Sequence, residues 1–481
     1  MSGLEAVIGI ETHVELRTRS KMFCGCAVAF GAKPNVNTCP VCLGLPGALP
    51  VPNEEAIESI LRIGAALGCD IVERSVFHRK SYFYPDLPKN YQISQYDLPL
   101  CVGGHLDVVV DGETVRVGIT RVHMEEDTGK SLHAGDGGRI HAADHTLLDF
   151  NRSGVPLVEI VTEPDLRTAE QARSYAAELQ RIVRTLSVSD ARLEEGSMRF
   201  DANVSVRRPG AGFGTRTEVK NMNSLRSLQR AVGYEIDRQI ALVAAGGTVV
   251  QETRHWNEAT ATTLAMRSKE ESEDYRYFQE PDLVPLEVDA AWRQRVVDSL
   301  PELPAMRRHR YVATGVNAAT VSSLVNDDAL GDLFDAAVAA GADARTVANW
   351  LTGEVVAYLR QEDVTLADTD LTAADLADLA AMLADGAVSA SAAKDVLRGV
   401  LAGEGRPRAV AGARDLLQIS DTGLLETEVD AVLAAHPDEL ARIRHGDAKP
   451  FGYLVGQVMR ATGGKADPKL VSELLRRRTA G

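Results

Sequence analysis

No run of apolar residues in this 481-residue chain approaches the length needed to span a bilayer. The N-terminus, Met-Ser-Gly-Leu-Glu-Ala, has neither a basic region nor a long apolar stretch. Neither a membrane span nor a secretory leader is expected, and the chain reads as cytoplasmic. Positive charge is short: 52 Lys and Arg against 68 Asp and Glu leave a net charge of −16. That excludes a protein that coats nucleic acid over its whole surface. The usual nucleotide and hydrolase signatures are also missing. Glu126-Asp-Thr-Gly-Lys-Ser131 contains Gly-Lys-Ser, but Met124 stands where a phosphate loop needs its first glycine. There is no dinucleotide fingerprint, nucleophile elbow or zinc-protease helix. A nucleotide, if one is used, is expected on a sheet face with metal-bound carboxylates.

Such a face is suggested by four short segments that place polar groups at every second position: Glu11, His13 and Glu15; His123 and Glu125; Asp201 with Asn203; Glu218 with Lys220. Alternate residues of a strand share a face, so each segment aims its polar atoms one way. In the first, Ile10, Val14 and Leu16 take the other face. Like charges on neighbouring strands repel unless a divalent cation or a solvated cleft compensates them, which points to metal-assisted phosphoryl chemistry. Glu125 and Glu126 face opposite ways in a regular strand. Only one is expected to be a direct ligand, and Glu125 shares the parity of His123. Magnesium prefers oxygen ligands, so His13 binds through water or favours manganese; the lesser alternative is a structural histidine bonded to a neighbouring strand.

Residues 1–290 are rich in Gly and Pro, with alternating stretches and a hairpin signal at Asp111-Gly112. Helices are expected from Asn53 to Leu67, with Asn53 as N-cap, and from Thr168 to Leu186, where Gln171 would complete a capping box. This part reads as α+β with an antiparallel sheet. Over 291–405 strand signals fade and helical periodicity takes over. Thr372 and Asp375 form a capping-box pattern, Leu376, Leu379 and Leu383 share a stripe, and Gly386 can end that helix. After the break at Leu401-Ala-Gly-Glu-Gly-Arg-Pro, residues 406–481 read as a small all-α tail, with further breaks at Asp421-Thr-Gly, His436-Pro and Gly463-Gly464. From Leu440 onward nine basic residues outnumber three acidic ones, so this end carries +6 and the preceding residues −22. The patch suits an RNA backbone, or equally a solvated helical tail.

Cysteine is scarce, at six, yet four are clustered as Cys24-Gly-Cys26 and Cys39-Pro-Val-Cys42. Four soft ligands in two close pairs suit tetrahedral zinc, with an iron–sulfur cluster or free thiols as the alternatives. A zinc with four protein ligands has no open position for substrate and pins a loop. Cys69 and Cys101 read as core residues. Arg79-Lys-Ser-Tyr-Phe-Tyr-Pro-Asp-Leu-Pro-Lys-Asn-Tyr-Gln-Ile-Ser-Gln95 packs cations and rings between prolines. It is either a loop offering them to a phosphate or base, or a surface loop anchored by its aromatics. Asp274-Tyr-Arg-Tyr-Phe-Gln-Glu-Pro-Asp282 has the same character.

Together these residues resemble a known family. Gly9-Ile-Glu-Thr-His-Val-Glu-Leu16, the Arg79–Gln95 segment, Thr120-Arg-Val-His-Met-Glu-Glu-Asp127, Ser197-Met-Arg-Phe-Asp-Ala-Asn-Val204, Glu218-Val-Lys-Asn-Met-Asn-Ser224, Asp274-Tyr-Arg-Tyr-Phe278 and Lys449-Pro-Phe-Gly-Tyr-Leu-Val-Gly-Gln-Val-Met459 resemble, in order, the B subunits of the aspartyl/glutamyl-tRNA amidotransferases. The resemblance implies a fold related to glutamine synthetase and guanido kinases, and a tail that holds tRNA. It implies an ATP-dependent activation of the side-chain carboxylate of Glu-tRNA(Gln) or Asp-tRNA(Asn), followed by amidation. The expected partners are the A subunit, an amidase that makes ammonia, the small C subunit, and mischarged tRNA. This chain itself has none of the serine-rich amidase signature. Carried over by position, Glu11, His13, Glu125, Asp201 and Glu218 fall at the magnesium or manganese site, and Glu126 at the nucleotide site. Lys80, Ser81, Tyr82 and Tyr84 match a segment near the acceptor end and ammonia exit. Cys24, Cys26, Cys39 and Cys42 match a zinc loop that some members have. Two rivals remain: a free-standing carboxylate–amine ligase, for which the basic tail has no use, and a non-catalytic tRNA scaffold, for which the clustered carboxylates have none.

Overall fold

A computed structural model of the chain describes residues 3–134, 144–268, 275–418 and 422–479. Asp274 of the second aromatic segment and Asp421 of the tail break lie outside the described residues. The chain divides into two compact units, Met1–Pro304 and Ala305–Gly481.

The first unit is built on a thirteen-stranded sheet. Its main path runs Thr262–Ser268, Glu252–Asn257, Thr217–Lys220, Met198–Arg207, Glu5–Glu15, Pro156–Thr162, Glu113–Glu126, Tyr91–Ser94, His78–Ser81 and Phe278–Gln279. Neighbours on this path are antiparallel except one pair, so the sheet is mixed rather than purely antiparallel. Thr217–Lys220 and Glu252–Asn257 run parallel. Parallel neighbours need a long crossover, and the twenty-residue helix Leu225–Ala244 supplies it.

Alternation along Glu5–Glu15 separates core from cleft. Ile8, Ile10, Thr12 and Val14 are fully buried and share a core with Ile60, Leu179 and Leu228 from helices Glu54–Ala66, Ala169–Thr185 and Leu225–Ala244. Glu11, His13 and Glu15 take the opposite, partly exposed face. The helices start where side chains can satisfy their first free N–H groups. Asn53 accepts from the Ala56 N–H and Thr168 from the Gln171 N–H. The expected box at Thr168 is displaced by one residue, since Gln171 reaches back to the Arg167 N–H at 2.7 Å. Asp111 and Gly112 join strands His105–Val110 and Glu113–Glu126 with φ of 51° and 84°. Positive φ at both central residues is what a tight two-residue hairpin needs.

The second unit is helical throughout its described residues. One core gathers residues from Tyr311 to Ala411, and helix Ala373–Ala384 within it opens on the Thr372–Asp375 capping box. The helix Pro407–Ala413 contributes Val410 and Ala411 to that core. A separate cluster runs from Leu425 to Leu475. No helix among the described residues is long and apolar enough to cross a membrane.

Candidate functional site

Register carries the polar face across the sheet. Glu11 lies opposite Asp201, His13 opposite both Arg199 and Glu159, and Glu159 opposite His123. Asn203 lies opposite Glu218, Ser94 opposite Glu125, and Lys80 opposite Gln92. Directly paired residues of an antiparallel ladder share a face, so these side chains line one stripe over seven strands.

Two donor groups form along the stripe. In the first, one carboxylate oxygen each from Glu11, Asp201 and Glu218 lie within 4.8 Å of one another. Two neighbours orient them: Asn203 Nδ2 donates to Glu11 Oε1 at 2.9 Å, and Thr253 Oγ1 to Glu218 Oε2 at 2.8 Å. Lys220 Nζ donates to Asp201 Oδ2 at 2.8 Å and lies 3.1 Å from Glu218 Oε1. Burial raises the Glu11 pKa above the ordinary carboxylate range, and Glu159, Glu218 and Asp201 push the same way. All-oxygen donors with excess negative charge fit a hard divalent cation.

The second group is His13, Glu125 and Glu159, also within 4.8 Å. Here positive charge is built in. His123 Nε2 lies 3.5 Å from Glu125 and 3.4 Å from Glu159, and Lys80 Nζ lies 3.8 Å from Glu125. Burial would deprotonate His123, but Glu159 and Glu125 outweigh it and raise its pKa to about 9. Burial would likewise protonate Glu125, and Lys80 and His123 reverse that, holding it below the usual carboxylate range. Ser94 Oγ and Gln92 Nε2 donate to the two Glu125 oxygens at 3.0 and 3.1 Å. One imidazole and two carboxylates accept manganese as readily as magnesium.

The remaining sequence candidates lie elsewhere. Glu126 faces away from Glu125: it pairs with Lys89, both side chains almost fully buried, and accepts from the Ile93 N–H at 2.8 Å. Ser81, Tyr82 and Tyr84 are not part of either carboxylate group. Ser81 pairs with Tyr91 on the face opposite Lys80, and the Tyr82 and Tyr84 rings stack at 5.8 Å. Glu15 has the parity of Glu11 but joins a different cluster with Asp127, Arg199 and Arg152. Burial and the Asp127 carboxylate raise its pKa to about 8, and Arg199 and Arg152 hold Asp127 low against its own burial. Glu159 escaped the sequence reading. Its signal is present: one acid in the apolar run Pro156-Leu-Val-Glu-Ile-Val-Thr162, read as a strand, has to face a polar cleft.

Cys24, Cys26, Cys39 and Cys42 have their sulfurs within 4.8 Å. The Cys24 thiol donates to Cys42, and with the Cys39 N–H and nearby Lys21 brings the Cys42 pKa down to about 4. Four cysteine sulfurs gathered this closely are the donor set of a soft metal ion, and zinc, which binds them as thiolates, fits it.

Two family models match the chain: the GatB/GatE catalytic domain over residues 6–294 and the GatB domain over residues 332–478. The chain is 53% identical over 479 residues to the aspartyl/glutamyl-tRNA(Asn/Gln) amidotransferase B subunit of Frankia casuarinae, covering 98% of this chain and 95% of that one. It is 51% identical to the protein of the same name from Moorella thermoacetica, covering 98% and 99%, and 48% identical to that of Acaryochloris marina, covering 99% and 98%. With near-complete coverage in both directions, the chain belongs to the family of aspartyl/glutamyl-tRNA(Asn/Gln) amidotransferase B subunits.

Proposed function

We propose that this protein is the activating component of a tRNA-dependent amidotransferase. It would use ATP to phosphorylate the side-chain carboxylate of Glu-tRNA(Gln), Asp-tRNA(Asn) or both, and hold the acyl phosphate for ammonia delivered by an amidase partner. The family supports the reaction class, and the observation that carries the assignment to this unit is the pair of adjoining carboxylate groups on one open sheet face.

The chemistry requires two anions, the substrate carboxylate and the γ-phosphate, to approach each other. Glu11, Asp201 and Glu218 would hold one divalent ion and His13, Glu125 and Glu159 a second, which when bound would supply the neutralising charge. The side chains hold this arrangement before substrate arrives. Asn203 and Thr253 fix the outer oxygens of Glu11 and Glu218, while Ser94 and Gln92 fix Glu125. In the transfer, a carboxylate oxygen bonds to the γ-phosphorus and the bond to the β-bridging oxygen breaks, releasing ADP. Ammonia then bonds to the acyl carbon, phosphate leaves, and a proton is lost. Lys80 lies beside Glu125 and 4.9 Å from the Tyr275 ring centre, which supports a role for it in stabilising the charge that develops in these steps. In this reading the zinc loop is structural, the fold is related to glutamine synthetase and guanido kinases, a small C subunit completes the complex, and the basic tail contacts tRNA.

The test is release of ADP by the complete complex with magnesium and ATP. Turnover with mischarged tRNA and none with free glutamate or aspartate is expected. Turnover with the free amino acid alone would instead identify a small-molecule ligase, and tRNA binding without ADP release would identify a scaffold.

A further inference from the structure

Among the described residues, Lys220 is the cation seated directly on the Glu11, Asp201 and Glu218 group, bonded to one oxygen of Asp201 and near one of Glu218. The outer oxygens of this group are already engaged: Glu11 Oε1 by Asn203 and Glu218 Oε2 by Thr253. The ammonium therefore takes oxygens that a metal ion entering the group would need. Divalent magnesium or calcium bonds carboxylate oxygens at about 2.0–2.6 Å, so on those oxygens it would stand against the ammonium, cation to cation. Both cannot keep the same lone pairs. The two groups also differ in how they are matched: among the described residues, Glu125 and Glu159 lie beside His123 and Lys80, whereas Lys220 bonds directly to Asp201 and lies near Glu218. The Lys220 side chain is 40% exposed on the open face, and its four-carbon stem has the freedom to turn along it.

We propose that Lys220 is an exchangeable counter-ion. It neutralises the carboxylates while no metal is bound, yields their oxygens to the incoming divalent ion, and then presents its ammonium to the polyphosphate that accompanies that ion. This rests on the reading of the cleft as a metal–nucleotide site. Exchange replaces one positive charge with two at the oxygens and leaves a freed ammonium on the same face, where the nucleotide's negative charge arrives. Metal and nucleotide then reinforce each other through a single side chain. Lysine suits the task better than arginine, because a compact point charge on a flexible stem is released more easily than a two-point fork.

The test uses the full chain within its complex, with manganese as the probe. Manganese binding is read by titration without nucleotide, and a non-hydrolysable ATP analogue is then titrated at saturating manganese. For Lys220→Met, manganese is expected to bind about tenfold or more tighter without nucleotide, since no cation has to be displaced. The analogue is expected to bind about tenfold or more weaker. Lys220→Arg keeps the charge and should leave the analogue bound more tightly than Lys220→Met does. If Lys220→Met is too unstable to titrate directly, recovery of its melting temperature with added manganese reads the same affinity. Unchanged or weaker manganese binding in Lys220→Met overturns the exchange, and an unchanged analogue affinity overturns the second role. Glu218→Gln separates this from failure of the parent reading: if it binds manganese as the unmodified protein does, the ion is not held in this group and both fall.

Discussion

Lys89→Met is the substitution that decides what Glu126 does. From the sequence, Glu126 belongs to the nucleotide site. In the structure it is 2% exposed and paired with Lys89, itself 5% exposed, whose ammonium lies 5.4 Å from the Tyr91 ring centre and 5.9 Å from that of Phe23. A β-carbon on Gly44 of the cysteine loop would stand 2.5 Å from Lys89 Cγ, so the lysine stem is clamped between loop and sheet. Methionine preserves most of that stem and deletes the charge. Removing one partner of a buried pair leaves the other uncompensated, at a cost of roughly 3–5 kcal/mol. The lower end applies here, because the Ile93 N–H still donates to the carboxylate. At roughly 2–4 °C per kcal/mol for large domains, the first unit should melt roughly 6–12 °C lower. Lys89→Met combined with Glu126→Gln removes both charges and should recover much of the loss. Thermal unfolding of the full chain, together with nucleotide titration, is the assay. A Lys89→Met protein that melts with the unmodified one yet no longer binds ATP would refute the clamp and restore Glu126 to the nucleotide site.

Glu11→Gln or Glu125→Gln should abolish ADP release while tRNA affinity stays nearly unchanged; normal turnover in either rejects that residue's assignment. Metal analysis should find roughly one zinc per chain, and a strong chelator should expose the loop around Cys24–Cys42 to protease; metal-free protein with an equally resistant loop would count against zinc. For pH, Glu15 holds its proton to about 8 when folded against 4.5 as its ordinary value. Its contribution to stability is present below the ordinary value and lost as pH rises through 8. Glu15→Gln should therefore lose less melting temperature between pH 6 and 9 than the unmodified protein, and an equal loss would reject the shared proton. Truncation after Gln418, rather than at residue 405, spares Val410 and Ala411 in the middle core. It should raise KM for tRNA, leave the glutaminase of the proposed amidase partner intact and flatten the salt dependence of tRNA binding; an unchanged salt slope would reject the basic-tail argument.

Local signals were legible wherever a few neighbouring residues decide the outcome. The caps at Asn53, Thr168 and Thr372 and the hairpin at Asp111-Gly112 depend on two to four residues each, and all four form. The parallel pair was not legible. It depends on the helix Leu225–Ala244 carrying the chain across the sheet, and periodicity within a strand says nothing about the direction of its neighbour. The split between Glu125 and Glu126 was legible from parity alone, but the role of Glu126 was not, because its partner Lys89 is 37 residues away in sequence.

Glu15 shows where parity stops being sufficient. It shares a face with Glu11 and His13, yet four residues of strand separate it from Glu11 by about 13 Å, beyond any shared ligand. What selects a residue's group is the strand opposite it. Glu11 meets Asp201, and His13 meets Glu159, whereas Glu15 continues past the carboxylate pairs to where its backbone N–H meets the Ser197 carbonyl and its side chain meets Asp127. Glu159 is the converse case: with Leu157 and Val161 at the alternate positions of its own strand, no alternation marks it, and it enters the site because the strand Pro156–Thr162 lies between those carrying His13 and His123. A ligand set on a sheet is thus a property of register. Sequence alternation supplies the candidates, and the order of strands sorts them into a group that Lys220 can occupy and a group already balanced by His123 and Lys80.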